Sequence, residues 1–266
     1  MYNRFQIAKK YVRYLIFSSN GRGHGVHSPF VFDFTTHVLN PQKQEKFLFK
    51  GIELLRKELK HSKESLTVVD LGAGSVKGNN TIRTVGSIAT NAAKSPKYGQ
   101  LLYRIAAYYE IESILELGTS LGLTTRYLAL ANPKNGVTSI EGSPAIAAYT
   151  RHVMQREELS GINLILGDFE EKLSEALVTM KGRKMIFFDG NHQYQSTLDY
   201  FKKSLSVCGD QDIMIFDDIH WSSGMEKAWK EIKNFKEVTC VIDLFFVGIV
   251  FFRKEFKEKL DFSIRF

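Results

Sequence analysis

Cysteine is nearly absent: the 266-residue sequence holds two, Cys208 and Cys240. Two thiols cannot build a disulfide framework or complete a zinc site. Both read as small core residues, and the expected compartment is reducing, intracellular and cytoplasmic. Proline is scarce too, five residues against twenty glycines, and no low-complexity tract occurs. That excludes collagen-like, linker-rich and disordered architectures. Long hydrophobic runs are missing. The most apolar stretch, residues 238–252, is interrupted by Asp243 and Gly248 and is too short to span ~30 Å of hydrocarbon. Its Val, Ile and Phe content indicates β-structure. At the N-terminus Lys9, Lys10 and Arg13 break the one candidate secretory segment,. What is present, 44% apolar and 24% charged residues, suits a soluble globular protein with a substantial core.

The net charge of +7 is uneven: residues 1–63 carry 12 Lys/Arg against 4 Asp/Glu, and the rest of the chain is close to neutral. A basic segment ahead of a neutral domain would attract nucleic acid, an anionic membrane or an acidic substrate. A solvated helical face is the commoner origin of such a run.

Residues 3–17 mix Phe5, Val12, Leu15 and Ile16 with basic residues at roughly helical spacing,. After a turn-rich break, Ser28-Pro29 reads as an N-cap followed by Pro at the first helical position, opening a short helix to about Leu39. Residues 45–62 predict a second amphipathic helix, with Phe47, Ile52, Leu54, Leu55 and Leu59 as its apolar set,. These helices define an accessory region, residues 1–65, ahead of a main domain, residues 66–266. From Tyr98 onward short apolar runs at 113–117, 136–141, 163–166, 185–189 and 213–217 alternate with amphipathic segments of helical length. That rhythm predicts an α/β fold, a Rossmann-like doubly wound sheet of mainly parallel strands. The end departs from it. Residues 238–244 and 245–252 follow one another with no helix between them, so they must form a terminal antiparallel pair. Such an ending favours a methyltransferase arrangement over a dehydrogenase one.

Two glycine-rich turns compete for a nucleotide. One runs from Asp70 to Gly74; the other is Glu116-Leu117-Gly118-Thr119-Ser120-Leu121-Gly122. In both, an acidic residue ends a strand and glycines allow close backbone approach. Only the second is followed by a helix and then a strand ending in an acid, Glu141, placed to accept both hydroxyl hydrogens of a ribose. The Asp70 turn reads as structural or as a closure over the site. A G-x-G-x-x-G turn serves a pyrophosphate, whereas an acid just before Gly-x-x-x-Gly suits a cationic, amine-bearing ligand. S-adenosylmethionine, with a sulfonium, an amino group and no phosphate, fits that description.

The segments ILELGTSLG, SIEGSP, LILGDF, MIFFDGNHQY and MIFDDIHW, in this order, resemble class I S-adenosylmethionine-dependent methyltransferases. Among these they most resemble the branch of catechol-type and sugar O-methyltransferases. The resemblance covers about residues 98–252. It implies that Glu116, Gly118 and Gly122 frame the methionine end of the cofactor, with Thr119 and Ser120 in the turn. Glu141 would hold the ribose. Asp168, after Gly167, would meet the adenine amino group, and Phe169 would pack on the ring. Asp168 could equally serve only as an N-cap, and Glu141 as an ordinary acid before a helix.

Asp189 ends the fourth parallel strand and Asp217-Asp218 the fifth, so three carboxylates would face one crevice. They repel unless a cation or protons neutralise them; a divalent ion such as Mg²⁺ would do so, and in the resembling metal-dependent enzymes these positions bind the ion. Asp218 could instead cap the following helix, and Asp189 could face the cofactor. Some sugar enzymes of this pattern carry a second Asp as base two residues after the first. Here that position is Asn191, which is no base near neutral pH. His192 and His220 are the local substitutes, with His192 preferred. Trp221, Met225 and Trp229 could wall an apolar pocket, although core packing is their commoner role. His24 and His27 have no third ligand nearby in sequence.

The resulting expectation is O-methylation of a small-molecule hydroxyl, with no transmembrane segment and with edge strands and basic helices able to support a homodimer. A nucleic-acid substrate is the weaker expectation, since neither an amino-methylating N-P-P-Y-like tetrapeptide nor an RNA-binding module occurs. A methyltransferase acting on RNA or protein, and a non-catalytic S-adenosylmethionine-binding scaffold, are the alternatives.

Overall fold

The computed structural model describes residues 1–21, 27–40, 47–69 and 80–266. The Asp70–Gly74 turn and His24 lie outside them. The chain divides into two compact units, Met1–Asn40 together with Arg183–Phe266, and Pro41–Gly182; no unit boundary falls near residue 65.

In the Pro41–Gly182 unit, α3 (Lys50–His61), α4 (Val85–Asn91), α5 (Pro96–Tyr108), α6 (Leu123–Ala131), α7 (Pro144–Arg156) and α8 (Phe169–Thr179) accompany five strands. Three of these, β3 (Ser113–Leu117), β4 (Val137–Glu141) and β5 (Ile162–Leu166), pair in parallel in that order. Ile114, Leu115, Val137 and Ile140 are buried, as expected of parallel strands covered on both faces. A separate antiparallel hairpin joins β1 (Ser65–Val69) to β2 (Asn80–Thr84). A helix-side cluster of Phe49, Leu55, Leu59, Val85, Leu123 and Tyr127 fills the core. Tyr127 donates to Glu53, which also pairs with Arg56 at 3.1 Å. Of the apolar set expected for α3, Ile52, Leu55 and Leu59 are buried, while Phe47 and Leu54 are exposed.

The other unit holds α1 (Arg4–Phe17), α2 (Pro29–Phe34) with a π-helical turn (Thr35–Leu39), α9 (Tyr194–Leu205) and α10 (Ser223–Asn234). Its strands are β6 (Lys184–Phe188), β7 (Ile213–Asp217), β8 (Cys240–Asp243), β9 (Val247–Phe251) and β10 (Leu260–Ser263), in the order β10-β8-β9-β7-β6. β6 and β7 are parallel; β9 runs antiparallel to both β7 and β8, which is the expected terminal pair. β10 adds an edge strand parallel to β8. The architecture is Rossmann-like, mainly parallel strands flanked by helices. Among the described residues no helix is long and apolar enough to cross a membrane.

α1 starts on a capping box between Asn3 and Gln6, and is pinned by its inner face. Tyr11 meets the Phe245 ring edge-on at 5.0 Å, Tyr14 donates to the Ile264 carbonyl, and the Ser19 amide donates to Ser263 at 2.8 Å. The structure therefore buries a face other than the apolar set read from the sequence: Phe5, Val12, Leu15 and Ile16 point to solvent.

Candidate functional site

The turn after β3 is built by backbone geometry. Gly118, Ser120 and Gly122 have φ of 105°, 48° and 70°, left-handed values that cost a side-chain-bearing residue such as Ser120 energy. The turn is tied to the next strand, since the Gly118 amide donates to the Ile140 carbonyl at 2.9 Å. Gly122 then starts α6. A Cβ there would displace the ends of the Met154 and Arg126 side chains, 2.7 and 2.8 Å away, and the left-handed φ is what favours glycine.

Two carboxylates flank this turn. Glu116 is fully buried. Its Oε2 accepts from Thr125 Oγ1 at 2.5 Å and from Ser139 Oγ at 2.6 Å, and Thr119 Oγ1 lies 2.6 Å from Ser139 Oγ. Burial pushes its pKa up to about 7 against the two hydroxyl donors. Its Oε1 is buried with no hydrogen-bond partner among the described residues, an expensive state unless a donor arrives. Glu141 ends β4. Its Oε2 accepts from the Ser120 amide and its Oε1 from the Ser143 amide, both at 2.8 Å. Burial raises its pKa, opposed by these amides. Each oxygen keeps a second lone pair, so the carboxylate is fixed in direction and still able to accept. These features fit a ligand that offers a vicinal diol and an amine. Ser139, Thr125 and Ser143 were missed by sequence reasoning; in VTSIE nothing distinguishes Ser139 from its neighbour Thr138.

Asp168 is exposed and accepts from the Glu170 amide at 2.7 Å as the N-cap of α8, with Phe169 as the first helical residue and half-buried. The capping role weighed for Asp168 is therefore real; its second oxygen remains a further acceptor. Gly167 donates its amide to the Glu141 carbonyl at 3.0 Å.

In the other unit, β6 and β7 pair so that Phe188 lies opposite Phe216, and their rings stack at 4.5 Å. This fixes the strand ends carrying Asp189 and Asp217. One ligand atom each of Asp189, His192 and Asp217 lies within 4.8 Å of the others, and His192 Nε2 is 4.0 Å from Asp189 Oδ1. Two carboxylates and an imidazole at such spacing match the donors of a divalent-cation site. The convergent trio departs from the expected one: His192 takes the place of Asp218. Asp218 has a φ of 53°, and its amide donates to the Phe246 carbonyl at 2.7 Å, a turn that redirects the chain straight after Asp217. Asn191 also has positive φ, 49°, and its Nδ2 donates to Tyr200 Oη at 3.1 Å.

His220 has a different employment from the proton acceptor expected of it. Nδ1 lies 3.1 Å from Glu226 Oε1 and Nε2 lies 3.0 Å from Asp243 Oδ2. Burial would depress its pKa, but the hydrogen bonds to Asp243 and Glu226 outweigh it and the shift is upward. An imidazole clamped at both nitrogens by carboxylates is held as the cation and has no site to take up another proton. Asp243 also accepts from Trp229 Nε1 at 3.0 Å, and Glu226 from Tyr2 and Lys10 at 2.8 and 2.9 Å. His220 is a structural tie among α1, α10 and β8. Met225 and Trp229 are buried core residues and Trp221 is half-buried.

With the geometry in place, comparison with known proteins gives a consistent result. A family model described as a methyltransferase domain matches residues 115–219, the segment from the Glu116 turn to the Asp217 strand end. Over these residues the chain is similar to methyltransferase domains. A catechol O-methyltransferase from Niastella koreensis is 29% identical to this chain over 128 residues, 47% of this chain and 57% of the relative. The chain thus spans just over half the length of the curated relative it matches. An O-methyltransferase from Bacillus cereus, solved with S-adenosylhomocysteine, superposes with a TM-score of 0.53 at 17% identity, covering 84% of this chain and 97% of that one. TomG, an O-methyltransferase from Streptomyces achromogenes solved with S-adenosylmethionine, gives 0.52 at 18% identity over 61% of this chain and 82% of its own. At such identities these neighbours establish the fold.

Proposed function

We propose that this protein transfers the methyl group of S-adenosylmethionine to a hydroxyl of a small molecule, assisted by a divalent cation. The observation that carries the reading is the convergence of Asp189, His192 and Asp217 within 4.8 Å at the ends of two parallel strands. Two carboxylates that close repel unless positive charge lies between them.

Glu141 would accept the ribose hydroxyls and the buried Glu116 Oε1 the amino group, with Gly118–Gly122 as the turn against the methionine end. Asp168 and Phe169 would meet the adenine. The cofactor supplies an electrophilic methyl group on a sulfonium. Asp189 and Asp217 would hold the cation, which supplies the charge that lowers the pKa of a bound hydroxyl. His192, the third member of the cluster, would stay uncoordinated and take the hydroxyl proton as the oxygen attacks. Fixing the oxygen's direction matters as much, because an in-line displacement gains most of its rate from alignment.

The test is transfer of labelled methyl from S-adenosylmethionine to catechol and to a panel of phenolic and sugar hydroxyls, with Mg²⁺ or with chelator. Transfer should fall at least ~10-fold in chelator and in Asp217→Ala. His192→Gln should lose about 10²-fold in kcat and regain part of it at higher pH, where hydroxide replaces the base. Undiminished transfer by Asp217→Ala in chelator would sink the cation and leave only the cofactor site.

A further inference from the structure

The outward face of α1 is apolar where a solvated helix would be polar. Phe5, Val12, Ile16 and Phe17 are 81%, 55%, 65% and 77% exposed, and Met1 and Leu15 are exposed beside them. Phe5, Val12 and Ile16 are spaced by seven and four residues, so they form one stripe along the helix. Arg4 on one side and Lys9 and Arg13 on the other border it, all exposed. No acidic residue occurs in the sequence before Asp33. The opposite face is committed: Tyr2, Lys10, Tyr11 and Tyr14 hold α1 to Glu226, Phe245 and Ile264. Rotating the helix to hide the stripe would break each of those contacts.

We propose that α1 docks on an anionic phospholipid surface, its apolar stripe entering the acyl boundary and its basic borders meeting the headgroups. A helix lying in the interface needs an apolar face and Lys/Arg beside it, and each exposed cation gains from the negative surface potential. Charge complementarity separates this occupant from others. A second copy of the chain would bring Arg4, Lys9 and Arg13 against the same cations with no carboxylate on the stripe to answer them. Nucleic acid would use the cations and leave the phenylalanines in water. The helix does not span: with 14 residues it is shorter than the ~20 that a crossing needs. The inference is independent of the catalytic reading, since it uses none of the residues assigned to the cofactor or the cation.

The experiment is flotation of the full chain with phosphatidylcholine vesicles, with and without phosphatidylglycerol at about 30 mol%. Binding to the anionic vesicles should exceed that to neutral ones by at least ~10-fold and decline with salt. The Phe5→Ser/Ile16→Ser double variant should lose about tenfold of it while keeping the melting temperature, because both side chains are exposed. Lys9→Glu/Arg13→Glu should remove the preference for anionic lipid. Equal or absent binding to both vesicles would overturn the proposal. So would anionic binding that survives Phe5→Ser/Ile16→Ser, a dimer in solution abolished by that variant, or capture of single-stranded RNA that persists in it.

Discussion

At the scale of single residues, Glu116 is the most unusual group. It is a carboxyl whose pKa is pushed up to about 7 by burial, against an ordinary 4.5. Between those values the folded protein keeps a proton that the unfolded chain releases. Stability of the ligand-free protein therefore falls as pH rises from about 4.5 to 7 and levels off above, a span worth ~3 kcal/mol. Glu116→Gln should flatten that slope in a series of melts at different pH; an unchanged slope would move the effect to other groups. The Glu116 and Glu141 positions were legible in the sequence because strand-end acids followed by glycines form a local pattern. Their fine tuning was not. Ser139 lies 23 residues from Glu116 and only the parallel pairing of β3 with β4 brings its hydroxyl to the carboxylate. The same limit explains Asp218. Adjacent acids look equivalent in sequence, and a single left-handed residue sends one into a turn while the other stays with Asp189.

At the scale of elements, β6 (KMIFF) and β7 (IMIFD) were readable because burial on both faces favours apolar runs,. The hairpin strand β2, Asn80–Thr84, was not, since NTIRT carries one apolar residue in five. Nor was β10, whose residues alternate between half-buried and exposed as on a short edge strand. In α1 the helical spacing was visible while the facing was inverted, because tyrosines and an ion-paired lysine occupy its inner side. Two predictions belong here. Gly248 pairs with Phe216 and Asp243 on its two sides, and an added Cβ would approach the Trp229 indole to 2.5 Å. Gly248→Ala should destabilise by about 1–3 kcal/mol in denaturant unfolding; a neutral result would mean that Trp229 has room to move. The His220 tie has a pH signature of the opposite origin to a carboxyl's. Its pKa is raised above 6.5 in the folded state, so its stabilisation is fully present below 6.5 and is lost as pH rises through the folded value. His220→Gln should lower the melting temperature most at mildly acid pH and little in alkali, with the pH dependence of kcat unmoved. A shifted kcat profile would restore His220 as a catalytic group.

At the scale of the whole molecule, the order of segments from the Glu116 turn to the Asp217 strand end carried the resemblance to methyltransferases, and it is the stretch that the family model matches. The N-terminal 65 residues were the opposite case. Their charge was countable, but which side of α1 meets the protein depends on residues as distant as Glu226, Phe245 and Ile264. The proposed function depends first on the turn between β3 and α6, with Glu141, being a working S-adenosylmethionine site. Calorimetric titration of the full chain with S-adenosylhomocysteine tests it most directly, comparing wild type with Glu141→Ala. Saturable binding at one site is expected, weakened at least ~10-fold in the variant by loss of a charged hydrogen-bond acceptor. A folded protein that shows no saturable binding, or a variant that binds as tightly as wild type, would contradict it.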